Sequence, residues 1–152
     1  MLDNTDKIIL QSLQRNSRVS NADLARAAEL SPSATLTRVR RLEEQGYIDQ
    51  YATKLNRQKM NYDLLCFVSV GLQRHEAVQV AEFDAAIQEI PEVLECYHLT
   101  GDDDYLLKVV AKNTADLEHF LIHVLTPIRG VARIRTSVVL SEIKVSSALP
   151  IL

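Results

Sequence analysis

Three arginines crowd one short stretch, Arg38, Arg40 and Arg41, with Ser33, Thr35 and Thr37 just ahead of them. Guanidinium groups pair bidentately with guanine or with phosphate, and hydroxyls reach base edges or phosphates. This stretch therefore has the chemistry of a nucleic-acid reader. A second concentration is acidic, Gly101-Asp102-Asp103-Asp104. Glycine and aspartate favour turns, so the run reads either as a solvated hairpin turn or as carboxylates offered to a cation. Groups for covalent or acid–base chemistry are few: Cys66, Cys96, His75, His98, His119 and His123. His119 and His123 have the i, i+4 spacing of a metal pair, but no H-E-x-x-H accompanies them and two ligands do not make a site. His98 lies just before the acidic turn and is a candidate partner for Asp104. There is no phosphate loop and no nucleophile elbow. The expectation is a binding protein, not an enzyme, with no metal and no cofactor.

The arginine stretch needs a helix to align it, and the local sequence predicts one. Asp3 caps a first helix, with Asp6 three residues on and Ile9, Leu10 and Leu13 at helical spacing. Ser20 with Asp23 has the spacing of a capping box for a second helix, whose buried stripe is Leu24, Ala27 and Ala28. Ser31 caps a third helix with Pro32 at its first position, and Gly46 closes it. Two capped helices joined by a tight turn have the spacing of a helix-turn-helix, whose second helix enters the major groove. Turned by about 100° per residue, the third helix is expected to bury Leu36, Val39 and Leu42. That orientation faces Ala34, Thr37, Arg38 and Arg41 outward and puts Arg40 on the flank. Ser33 and Thr35 sit near the helix start, where phosphate is bound. The β-prone run Tyr47–Leu55 reads as a wing or arm, and Asn56–Asn61 as a linker.

The second half reads strand, helix, strand, strand, helix, strand, the ferredoxin-like order. The strands are expected over 64–72, 93–100, 105–111 and 131–143, and the helices over 76–90 and from Thr114 to Leu125. Two helices cover one face of such a sheet. The other face is expected to expose Leu, Val and Ile, so a partner sheet should cover it and the chain should form a homodimer. A dimer would read a palindromic operator on double-stranded DNA. The fold class is α+β, divided into a winged helix-turn-helix domain over 1–47, a hinge strand and linker over 48–61, and a ferredoxin-like domain over 62–152. The apolar end, Ala148-Leu149-Pro150-Ile151-Leu152, is suited to dock on a neighbour.

The chain has 152 residues, 47% hydrophobic and 24% charged, an ordinary globular composition. Its net charge of −3 conceals a split. Residues 1–60 hold ten Lys/Arg against seven Asp/Glu, a balance of +3, and residues 61–152 hold seven against thirteen, a balance of −6. A basic first half can approach phosphate while the acidic half keeps the whole soluble. No apolar run approaches the ~18 residues of a membrane span. Two cysteines without C-x-x-C argue against a zinc finger or a disulfide framework, and a cytoplasmic protein is expected.

In these motifs the sequence resembles the Lrp/AsnC family of regulators over essentially its whole length. The resemblance rests on Leu2-Asp3 with Asp6, Asn21–Ala25, Leu30–Ser33 and Arg38–Ile48 in the first half. In the second half it rests on Pro91–Val93, Thr100–Lys108, Thr136–Leu140 and Glu142–Lys144. It implies a sequence-specific DNA-binding transcription regulator that assembles as dimers up to octamers and responds to an amino-acid effector near the Gly-Asp-x-Asp-Tyr turn. Asp102 and Asp104 are the implied acceptors for the effector ammonium, and Gly101 the place of close backbone approach. Thr136 would add a hydroxyl and Val138 a pocket wall. Asp103 departs from the family, which often has a non-acidic residue there. Two rival readings are an architectural protein that wraps DNA with little sequence choice, and a metabolite-binding module or enzyme with a vestigial helix-turn-helix.

Overall fold

The computed structural model describes all 152 residues and divides them into two compact units, Met1–Lys54 with Ile143–Leu152, and Leu55–Glu142. The carboxy-terminal stretch thus belongs with the first unit and not, as expected, with the second.

The first unit holds α1 (Asn4–Arg15), α2 (Asn21–Ala28) and α3 (Pro32–Glu44). Each helix begins on the predicted cap. Asp3 accepts from the Asp6 N–H at 2.7 Å, and Asp6 accepts in return from the Asp3 N–H at 3.2 Å. Ser20 and Ser31 accept from the N–H groups of Asp23 and Ala34. Between α2 and α3 the chain reverses through Glu29, whose φ of 53° places it in the left-handed region. The core joins Ile9 and Leu10 of α1, Leu24 and Ala28 of α2 and Leu42 of α3. Ala25 is buried on α2 where Ala27 was expected. The alternating run Tyr47–Leu55 forms no strand, for a strand needs a pairing neighbour and the chain supplies none there. Instead Tyr51 donates to Glu43 at 2.8 Å. The end of the chain lies along α1. The Gln14 amide brackets Leu149, accepting from its N–H at 2.6 Å and donating to its carbonyl at 3.0 Å. Gln11 donates to the Ile151 carbonyl, and Ile151 packs on the helical core.

The second unit contains β1 (Leu64–Leu72), α4 (Ala77–Gln88), β2 (Val93–His98), β3 (Tyr105–Ala111), α5 (Thr114–His119) and β4 (Val131–Val138). α5 runs on into a π-helical turn over Phe120–Leu125, and Asn113, one residue before the expected Thr114, caps it. The antiparallel sheet has the order β2-β3-β1-β4, the ferredoxin-like arrangement. Cys66, Val68, Val70 and Leu72 of β1 alternate onto the core with Leu107 and Val109 of β3, Phe83 and Ile87 of α4, and Leu117 and Phe120. β4 ends at Val138, five residues short of expectation, leaving Leu140 and Ile143 almost fully exposed.

The opposite sheet face departs from the aliphatic surface expected. The register aligns Phe67 with Lys108 and Ser137, Ser69 with Leu106 and Arg135, Tyr97 with Leu106, and Glu95 with Lys108. This face is therefore mixed, with Phe67 and Tyr97 set among Lys108, Glu95, Arg133 and Arg135.

Candidate functional site

On α3, Val39 and Leu42 pack inward as expected, but the inward face is turned at the start of the helix. Thr35 is fully buried, and Leu36, expected inside, is 42% exposed. The Thr35 hydroxyl donates to the Ser31 carbonyl at 3.0 Å, which removes it from the set that can meet DNA. The rotation has an electrostatic cause. Asp6 of α1 is 1% exposed, and a buried carboxylate requires compensation. Arg38 Nη1 donates to it at 2.8 Å, and Arg41 Nη2 reaches both of its oxygens at 2.6 Å. Arg38 also donates to Asp3 at 2.6 Å. That bond holds the Asp3 carboxyl below its ordinary range and raises the Arg38 guanidinium. Arg38 and Arg41, expected to point outward as the main DNA contacts, both pair with Asp6 of α1, while the Arg41 side chain stays 44% exposed.

The exposed residues of α3 include Ser33, Leu36, Thr37 and Arg40, together with Arg41, Glu43 and Glu44 towards its end. Thr37 donates to the Ser33 carbonyl at 3.0 Å, which leaves its oxygen as an acceptor. Arg40, expected on the flank, is exposed and has no acidic partner. Sequence reasoning missed Asp6 as the organiser. Its signal was present, because Asp6 shares the i, i+4, i+7 stripe of Leu10 and Leu13.

At the acidic turn the three aspartates diverge. The Asp104 Oδ2 accepts from the Leu72 N–H at 2.6 Å, and its Oδ1 meets His75 Nδ1 at 3.1 Å. His75 thus takes the place proposed for His98, which stacks on Tyr105 with ring centroids 4.7 Å apart. Asp103 is held by Arg135 and, at 3.6 Å, by Arg133. Arg133 also donates to the Asp102 carbonyl at 2.7 Å. Only the Asp102 carboxylate has no partner. It lies beside Gly101, whose φ of +121° L side chains rarely adopt and which has open space around it. Thr136 and Val138 pair with Val68 and Cys66 of β1, one and three residues beyond the Arg135 that holds Asp103, and make no hydrogen bond to the three aspartates. The missed residues are His75, Arg133 and Arg135. The two arginines, spaced by two in a strand-like run, share one face and carried a readable signal.

Burial pushes the Cys66 thiol up and the Cys96 thiol up to about 11. Burial, with the Asp84 carboxylate that accepts from the Tyr105 hydroxyl at 2.8 Å, raises that phenol as well. His119 and His123 stand with ring centroids 4.9 Å apart. No three His, Cys, Asp or Glu side chains are grouped to hold a metal ion. No helix is long and apolar enough to cross a membrane.

A helix-turn-helix with an uncommitted arginine, on the same chain as a ferredoxin-like unit with an open acidic turn, defines a class: DNA-binding transcription regulators with a separate ligand-binding domain. Comparison with known proteins narrows it. Residues 2–49 match the winged helix-turn-helix DNA-binding domain, and residues 65–149 match the Lrp/AsnC ligand binding domain. The Bkd operon transcriptional regulator of Pseudomonas aeruginosa is 40% identical over 99% of this chain and 98% of its own length. The leucine-responsive regulatory protein of Salmonella typhimurium is 40% identical over 99% of this chain and 92% of its own. A transcriptional regulator from Neisseria meningitidis, solved as its L-Met complex, superposes with a TM-score of 0.95 at 39% identity, covering 99% and 97% of the two chains. The chain belongs to the Lrp/AsnC family of transcription regulators.

Proposed function

We propose that this regulator is a homodimer or larger closed assembly that reads a palindromic operator and changes its DNA affinity or assembly when an amino acid binds beside Gly101 and Asp102. The observation that carries the effector reading is the division of labour among the aspartates. Asp103 and Asp104 are spent on Arg133, Arg135, Leu72 and His75, while Asp102 presents a free carboxylate next to an open glycine backbone. An α-amino acid needs an acceptor for its ammonium and backbone N–H donors for its carboxylate, and a glycine turn leaves such donors accessible. The relatives named for leucine response and solved with methionine support the ligand class. Asp104 has a positioning part, fixing the turn to β1. Thr136 and Val138, one and three residues beyond Arg135 on β4, stay in the proposed site as a hydroxyl and a pocket wall. The mixed open face, with Phe67 and Tyr97 beside complementary charges, is suited to a second sheet.

The test is a thermal-shift screen of the purified chain against the twenty amino acids. A ligand that binds only the native state raises the melting temperature. A hit that is retained by the wild type and lost in Asp102→Ala supports the site. A hit undiminished in Asp102→Ala places the effector elsewhere.

A further inference from the structure

We propose that Leu36 and Arg40 are the base-reading pair of this regulator. Leu36 contacts the C5-methyl group of a thymine, and Arg40 the O6 and N7 acceptors of a guanine about two base steps away. The inference deepens the DNA-binding reading and rests on it.

Three observations converge. First, the two arginines on either side of Arg40 are engaged elsewhere. Arg38 and Arg41 both ligate the buried Asp6, so turning either into a groove would cost that carboxylate one of its two guanidinium partners. Second, the hydroxyls are largely spent. Thr35 is buried, and Thr37 donates back to its own helix. Third, the fifth residue of α3 is an exposed leucine. A single exposed leucine is unremarkable on most surfaces. On the amino-terminal half of a recognition helix it has a specific meaning, because those residues meet base edges. Only one base presents an apolar group in the major groove, and that group is the thymine methyl. An apolar side chain there also penalises a cytosine or adenine amino group, which it would leave without a hydrogen-bond partner.

The spacing fits one reading frame. Leu36 and Arg40 lie one turn apart, about 6 Å along the helix, against about 3.4 Å per base on a DNA strand. Ser33, Thr37 and Arg40 lie within about 40° of the direction opposite Thr35, and Leu36 lies on the shoulder of that stripe. Both reading residues can therefore enter the same groove together.

The experiment selects bound duplexes from a library with a randomised 24-base-pair core, using the full-length chain, and then replaces each thymine of the selected duplex with deoxyuridine. Deoxyuridine lacks only the methyl group. Affinity is read by fluorescence anisotropy for the wild type and for Leu36→Ala, Leu36→Gln, Leu36→Met and Arg40→Ala. One thymine per half-site is expected to lose about fourfold on methyl removal in the wild type, the worth of one buried methyl-sized group. Leu36→Met keeps that sensitivity; Leu36→Ala and Leu36→Gln lose it, and either suffices if circular dichroism shows the other unfolded. Arg40→Ala is expected to flatten the preference for one guanine by at least fivefold. A flat deoxyuridine scan in the wild type, or the same pattern in the folded Leu36 variants, overturns the proposal. Failure of the wild type to bind any duplex at low salt would instead sink the DNA-binding reading beneath it.

Discussion

Replacing Asp6 with asparagine should destabilise the first unit in the native background and stabilise it once both arginines are gone. In the wild type the Asp6 carboxylate, with its side chain 2% exposed, meets Arg38 and Arg41. Removing one partner of a buried ionic cluster costs about 3–5 kcal/mol. Asp6→Asn should fall at the low end, near 3 kcal/mol, because the arginines it releases are 28% and 44% exposed and can turn to water. Arg41→Ala should cost less, about 2 kcal/mol, since Arg38 and the Asp3 N–H still serve the carboxylate. The double variant Arg38→Ala with Arg41→Ala strands the charge and should reach about 5 kcal/mol. In that background Asp6→Asn removes an uncompensated charge and should recover about 1–3 kcal/mol. Urea unfolding followed by circular dichroism at the helix band measures all four, and in a unit of this size 3 kcal/mol corresponds to roughly 12–24 °C in Tm. An Asp6→Asn effect of the same sign in both backgrounds would refute the reasoning, as would a wild-type loss below about 1 kcal/mol.

Further outcomes follow from other parts of the structure. Burial favours the neutral thiol of Cys66 and Cys96, with Cys96 pushed up to about 11. Each therefore contributes stability that is present below the ordinary thiol range and lost as pH rises through the folded value; iodoacetamide at pH 8 should label the native chain far more slowly than the urea-unfolded one, and equal rates would contradict the burial. Gly101→Ala forces a side chain onto a φ of +121° and should cost about 1–3 kcal/mol although nothing crowds the site; an unchanged melting temperature would show that the turn adopts another conformation. Gln14→Ala removes both hydrogen bonds that bracket Leu149, so limited proteolysis should clip the carboxy-terminal stretch sooner than in the wild type, and an unchanged cleavage rate would count against that docking.

Much of this protein was legible before any tertiary contact was known. The caps at Asp3, Ser20 and Ser31 are local side-chain-to-backbone bonds spanning three residues, so residue type and spacing determine them. The same holds for the strand–helix order of the second half, where period-2 and period-3.6 patterns differ within a few residues. The charge split and the Gly-Asp run likewise needed no fold. The direction in which α3 faces was decided elsewhere. On hydrophobic spacing alone Leu36 belongs inside and Arg38 outside, but Asp6, more than thirty residues earlier, lies where α1 meets α3 and pairs with the guanidinium groups of Arg38 and Arg41. The mixed sheet face, the pairing of Asp103 and Asp104 but not Asp102, and the seating of Leu149 and Ile151 on α1 were decided in the same way. Each depends on which distant groups share a desolvated space, and the strength of an ionic or polar contact is governed by that shared burial, which no local pattern of residues encodes.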